Sequence, residues 1–177
     1  VTFEKRFQTL ELRAKGRRLE GYAALFGIEA RIGGDMIETI APGAFTQTLN
    51  ERADILALVD HDPTRVLART RSGTLQLSED TRGLAFEMDV PNTQAGKDVL
   101  TLAERGDLGG MSFGFTARDE QMDDDHRELR AVDLYEISVV AAFPAYDGTV
   151  INARSKRGAF PALSRAQRTL QILELIT

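Results

Sequence analysis

Gly109-Gly110-Met111-Ser112-Phe113-Gly114-Phe115-Thr116 alternates large apolar residues at 111, 113 and 115 with small or polar ones at 112, 114 and 116. That period of two belongs to a β-strand with one packed face. The opposite face is read in one of two ways: it meets solvent, or it leaves room for a peptide backbone to approach the Ser112 hydroxyl. Gly109-Gly110 just upstream permits close approach or unusual dihedrals. The same stretch satisfies the G-x-S-x-G pattern of the α/β-hydrolase nucleophile elbow, but that elbow needs a helix directly after the serine. Here the strand alternation runs on through Thr116, so the elbow reading is set aside.

Short alternating segments also fill the first ninety residues: Thr2 to Leu12, Leu19 to Phe26, Met36 to Ile40, Ile55 to Val59, Val66 to Thr70, Thr74 to Leu77 and Leu84 to Val90. Lys15-Gly16, Gly33-Gly34-Asp35, Ser72-Gly73 and Glu79 to Gly83 supply hairpin turns between them. One short helix is expected to open at Pro42 and present Phe45 and Leu49 on one face. A second is expected after Pro91, capped by Asn92 or Thr93 and stopped at Gly106. Two further strands, Met111 to Ala117 and Leu129 to Ala142, flank an acidic loop from Asp119 to Asp125. Many strands with a few covering helices predict a mainly β, α+β fold: a closed antiparallel β-barrel wrapped by helices. Residues 1–143 form this domain. Residues 144–177 read as a basic linker with Arg154, Lys156 and Arg157, followed by an amphipathic helix with Ala166, Leu170 and Leu173 on one face, packed on or extending the same domain.

The chain has 177 residues, enough for one domain with a sizeable core, and no cysteine. Disulfide frameworks, thiolate nucleophiles and cysteine-based zinc sites are therefore excluded, and no metal or other cofactor is expected. A net charge of −5 gives no general attraction to phosphate backbones, and the most apolar stretch, Ile137 to Phe143, is far too short to span a bilayer. Neither nucleic-acid nor membrane binding is expected. Val1 to Phe7 lacks the pattern of a signal peptide, so export is not expected either.

With two histidines in the chain, any histidine-dependent chemistry uses His61 or His126. His61 follows the strand Ile55 to Val59 in the turn Asp60-His61-Asp62-Pro63, where a side chain at a strand end projects over the sheet; an ordinary hydrogen-bonded turn histidine is the plainer reading. His126 lies in the charged run Met122 to Arg127 and reads as an exposed turn residue. Glu136 is a lone carboxylate in the apolar strand Leu134 to Ala142. Buried, it needs a partner, either an arginine such as Arg130 or an imidazole N–H; at an edge it faces water. Serine, histidine and carboxylate together are the set that lets a hydroxyl attack a carbonyl at neutral pH.

Leu19-Glu20-Gly21-Tyr22-Ala23-Ala24-Leu25-Phe26, Glu38-Thr39-Ile40-Ala41-Pro42-Gly43-Ala44-Phe45, Asp60-His61-Asp62, Gly110 to Phe115, Leu134 to Val140 and Pro144-Ala145-Tyr146 occur in an order that resembles the prohead (capsid maturation) protease family of tailed phages. Its fold is similar to that of the herpesvirus assemblins. The resemblance implies a seven-stranded barrel and a serine endopeptidase with His61 as general base, Ser112 as nucleophile and Glu136 orienting the histidine. Assemblins carry a second histidine in that third place; the glutamate agrees with the phage branch. By position, the oxyanion donor would come from the loop Ala142 to Tyr146, with Gly109-Gly110 as a rival source. The implied substrate is scaffold protein or the scaffolding segment of the major capsid protein, and the enzyme itself. The implied place is the immature capsid in the host cytoplasm, and a homodimer is the implied assembly. The competing expectation is a catalytically inactive capsid-assembly or scaffolding protein on the same barrel.

Overall fold

The structure is a computed structural model that describes residues 2–8, 12–32, 34–51 and 53–141. Eleven strands and two helices follow in the order β1 (Glu4–Gln8), β2 (Leu12–Lys15), β3 (Arg18–Leu25), β4 (Ala30–Arg31), β5 (Ile37–Ile40), α1 (Thr46–Asn50), β6 (Leu56–Val59), β7 (Asp62–Arg69), β8 (Leu75–Glu79), β9 (Gly83–Asp89), α2 (Gln94–Arg105), β10 (Gly110–Asp123) and β11 (His126–Val140). The expected C-terminal linker and helix, and the Ala142 to Tyr146 loop, lie outside the described residues.

Local chemistry sets several element ends where the sequence places them. Thr93 caps α2, its hydroxyl accepting from the Gly96 N–H, and Gly106 ends the helix at φ 72°, where a side chain would strain the backbone. Pro42 lies ahead of α1, which is one turn long and begins at Thr46. Residues 42–45 are turn, with the Ala44 and Thr46 N–H groups bonding back to the Ala41 and Gly43 carbonyls.

The strands form two sheets. The four-stranded sheet runs β2-β3-β9-β8, all antiparallel. In the seven-stranded sheet, β1 pairs with β10 and β10 with β11, both antiparallel. The other edge of the 15-residue β11 carries two strands in succession: β5 along His126 to Leu129 and β6 along Glu136 to Val139, both parallel to it. Strand β7 lies beyond β6, and β4 beyond β5. Neither sheet closes on itself among the described residues, so the expected barrel closure is not seen there, and the parallel pairs make the seven-stranded sheet mixed rather than antiparallel. The Ser72-Gly73 turn joins β7 to β8 across the two sheets rather than closing a hairpin.

The acidic segment Asp119 to Asp125 is a second correction. It is mostly strand: β10 runs to Asp123, and only Asp124 and Asp125 separate it from β11, with Asp124 at φ 47°. Its exposed charges read as a loop, but cross-strand ion pairs within it and at its flank hold it on the ladder. Glu120 binds Arg127, and Arg118 binds Asp133. Such cross-strand pairs support an exposed ribbon.

Leu19, Phe45, Ile55, Phe113, Phe115, Leu129 and Ile137 head the buried core. The Phe113 ring meets Phe45 edge-on at 5.6 Å and Phe115 at 5.1 Å. Burying each of these rings contributes about 1.5–3 kcal/mol. A charged network ties the first strand to the sheet. Arg6 Nε donates to Glu38 Oε1 at 2.5 Å, Arg127 Nη1 donates to Glu38 Oε2 at 2.9 Å and to Glu4 Oε2 at 2.6 Å, and Arg127 Nε donates to Glu120 at 2.7 Å. Glu38 is 2% exposed, so removing it leaves two largely buried guanidinium groups under-compensated.

Breaking such a buried pair costs about 3–5 kcal/mol. Because Glu4 and Glu120 remain, Glu38→Ala is expected at the low end, about 3 kcal/mol. Urea unfolding checks this, and a loss under about 1 kcal/mol contradicts it. Burial works to raise the Glu4 carboxyl, but the hydrogen bond from Arg127 and the charge of Arg6 together hold it below its ordinary value. A depressed folded-state value means that this contribution is complete at neutral pH and is lost as pH falls below about 4. Acid titration of stability in wild type against Glu4→Gln reads it, the variant showing the shallower decline.

Candidate active site

Strands β6 and β7 are joined by two residues, Asp60 and His61, between the paired Val59 and Asp62. Both sit at positive φ, 51° and 61°, the signature of the type I′ turns that suit a twisted hairpin. Neither is glycine, and left-handed backbone costs an L-residue on the order of 1 kcal/mol. Surrounding bonds hold it. The Asp60 N–H donates to the Val139 carbonyl at 2.9 Å, Asp60 Oδ1 accepts from the Ala141 N–H at 3.0 Å, and the His61 N–H donates to Ser138 Oγ at 3.2 Å. The turn is thereby fixed to the end of β11, and the imidazole is turned inward, its side chain 3% exposed.

His61 Nδ1 lies 2.6 Å from Glu136 Oε1. The other carboxylate oxygen, Oε2, accepts from Ser138 Oγ at 2.6 Å. Arg130, the alternative partner for Glu136, instead binds Glu128 and Gln121. Glu136 is buried, and the contact orients the imidazole with its Nε2 directed away from the acid. Among the described residues, His61 Nε2 and Ser112 Oγ are both buried and hydrogen-bonded to no other group.

Ser112 stands on β10 directly across the ladder from Ser138, and Gly114 directly across from Glu136. Ser112, Gly114, Glu136 and Ser138 therefore share one face of the sheet, while Met111, Phe113 and Phe115 fill the core as the alternation predicts. The polar face is closed rather than turned to solvent: Ser112 is 0% and Thr116 5% exposed. A Cβ at 114 would stand 2.4 Å from Glu136 Oε1 and 2.5 Å from the Phe3 ring, so any larger residue there would have to displace the carboxylate that His61 contacts. Strand β10 continues to Asp123 with no helix after Ser112, which disposes of the nucleophile-elbow reading.

His126 opens β11 opposite Asp123, at the far end of the ladder from Ser112, which pairs with Ser138. The Gly109 N–H is engaged by the Val140 carbonyl at 2.9 Å, which removes it as an oxyanion donor in this arrangement. The sequence reading missed Ser138. Its signal was present: at two residues from Glu136 in the same strand, it must share the acid's face. Among the described residues there is no cluster of three or more histidine or carboxylate side chains able to hold a metal ion, and no helix long and apolar enough to cross a membrane.

The sequence model of the caudovirus prohead serine proteases matches residues 5–161 of this chain. Among solved structures, the chain is similar to the bacteriophage T4 capsid assembly protease, gp21, at a TM-score of 0.55 and 9% sequence identity, covering 80% of this chain and 96% of that one. At that identity the likeness speaks for the fold alone. No curated protein sequence matches the chain with significance.

Proposed function

The chain belongs to the caudovirus prohead serine protease family, and from that premise we propose that it is a serine endopeptidase in which Ser112 attacks the peptide carbonyl, His61 takes its proton and Glu136 orients the base. The observation that carries this reading is the His61–Glu136 contact at 2.6 Å, with His61 Nε2 and Ser112 Oγ left, among the described residues, as two buried, unpartnered polar atoms near the same strand end. Buried hydroxyl and imidazole groups are normally hydrogen-bonded. An orphaned pair of this kind is expected where a proton is to be passed, and such bonds are often loose before substrate binds.

In the first step the Ser112 Oγ–C bond forms as the hydroxyl proton moves to His61 Nε2. The carbonyl π electrons pass to its oxygen, giving the tetrahedral intermediate. When that collapses, the C–N bond breaks and the imidazolium returns its proton to the leaving amine. Water, activated by the same nitrogen, then releases the acyl group. Throughout, the proton stays on Nδ1, Glu136 Oε1 accepts its hydrogen bond, and the carboxylate charge offsets that of the imidazolium. Glu136→Gln removes that charge and favours the wrong tautomer, so kcat is expected to fall by about 10⁴-fold. Steady-state cleavage rates check this; a loss under about tenfold would dismiss Glu136 as the orienting acid.

The family supports a capsid or scaffold protein as substrate, acted on inside the prohead. Self-trimming and a homodimer belong to the same proposal. Co-expression of wild type and Ser112→Ala with the major capsid or scaffold protein of the same genome, followed by intact mass, tests it. Cleavage by wild type alone supports the protease reading, whereas intact partners in both favour the inactive scaffolding alternative.

A further inference from the structure

We infer that Ser138 is a positioning residue for the proposed catalytic set, holding the acid and the base-bearing turn with one hydroxyl; this rests on the assignment of His61, Ser112 and Glu136. Ser138 is 0% exposed and stands where three strands meet, paired with Ser112 on β10 and with Leu58 on β6. Its Oγ donates to Glu136 Oε2 at 2.6 Å and accepts the His61 N–H at 3.2 Å. A serine hydroxyl has one proton and two lone pairs. Donation to the carboxylate fixes the hydroxyl's rotation, and a lone pair then receives the backbone donor.

Two constraints follow. First, Glu136 is held at both oxygens, Oε1 by His61 and Oε2 by Ser138, so the carboxylate cannot turn about its own axis away from the imidazole. Second, the Ser138 bond gives the left-handed backbone of His61, at φ 61°, a partner that an ordinary hairpin would not supply. The same bond separates the two buried serines by role. Ser138 faces the carboxylate as a donor, whereas Ser112 Oγ has no partner among the described residues and is free to be deprotonated by the base.

The test is the rate at which a biotinylated fluorophosphonate labels the full chain, with the adduct located by peptide mass mapping. Wild type is expected to carry it on Ser112. In Ser138→Ala the saturating labelling rate is expected to fall about 10- to 100-fold, the range for losing a hydrogen bond to a charged group. The half-saturating probe concentration should stay unchanged, because the lost group touches neither probe nor nucleophile. Ser138→Thr keeps the hydroxyl on a side chain suited to strands and is expected to recover most of the rate.

A Ser138→Ala rate equal to wild type overturns the positioning role while leaving the triad intact. So does a loss matched by Ser138→Thr with both variants folded by circular dichroism. An adduct on Ser138, or none on Ser112 in wild type, overturns the triad reading and this inference together.

Discussion

Ser112→Ala is expected to lower kcat on the order of 10⁶-fold, the scale seen when the nucleophile is removed from a group of residues that act as a unit. It should do so without lowering stability. The Ser112 hydroxyl is buried with no hydrogen-bond partner among the described residues, and burying a polar group in that condition costs roughly 1–3 kcal/mol. Replacing Oγ by hydrogen removes the unsatisfied group and leaves a void of a single atom. The thermal midpoint is therefore expected to stay level or rise by about 2–4 °C per kcal/mol gained. Activity and stability move in opposite directions only if the serine is kept for chemistry. A serine that merely packs β10 would give unaltered cleavage, and one that holds the fold would give a lower midpoint. Paired kinetic and calorimetric measurements on the one variant separate the three.

His61→Asn is expected to be inactive to a similar degree, about 10⁶-fold in kcat, for a reason that the turn makes separable from folding. Position 61 sits at φ 61°, where asparagine is among the few non-glycine residues that fit readily. The β6–β7 hairpin, its Asp60 bonds to Val139 and Ala141 and the donor from residue 61 to Ser138 are all compatible with the substitution. What is lost is the ring nitrogen facing away from Glu136, the proposed acceptor of the Ser112 proton. Cleavage retained within about tenfold of wild type would mean that another group accepts it. Stability measured alongside is expected to fall modestly, since Glu136 gives up its imidazole partner while keeping Ser138.

Much of this was legible in the sequence where a local rule applied. The alternation from Met111 to Thr116 placed Phe113 and Phe115 in the core and Ser112 on the opposite face, as the β10 register and burial have it. Thr93 and Gly106 marked the ends of α2 because capping chemistry is local. The isolated acid at 136 left two readings open, a buried carboxylate with a partner or an edge carboxylate facing water; it is buried, and its partner is the turn histidine rather than Arg130.

Long-range features were not legible. A period of two says which face of a strand is buried and nothing about which strand lies beside it, so the parallel docking of β5 and β6 in succession on one edge of β11 left no local trace. The same limit explains the barrel expectation: strand count and hairpin turns do not fix whether a sheet closes. Charge misled between Asp119 and Asp125, because exposed acids resemble a loop until a cross-strand partner such as Arg127, which binds Glu120, is known. Ser138 escaped because serine within an apolar strand is unremarkable in composition. Its role arises from two contacts, one of them to a backbone 77 residues away.

Treating wild type and His61→Asn with a fluorophosphonate and mapping the adduct by peptide mass tests directly whether His61 activates the Ser112 hydroxyl. A single phosphonylated residue, Ser112, is expected in wild type and none in His61→Asn. An unlabelled wild type, an adduct on another serine, or equal labelling of Ser112 in both proteins would contradict that activation.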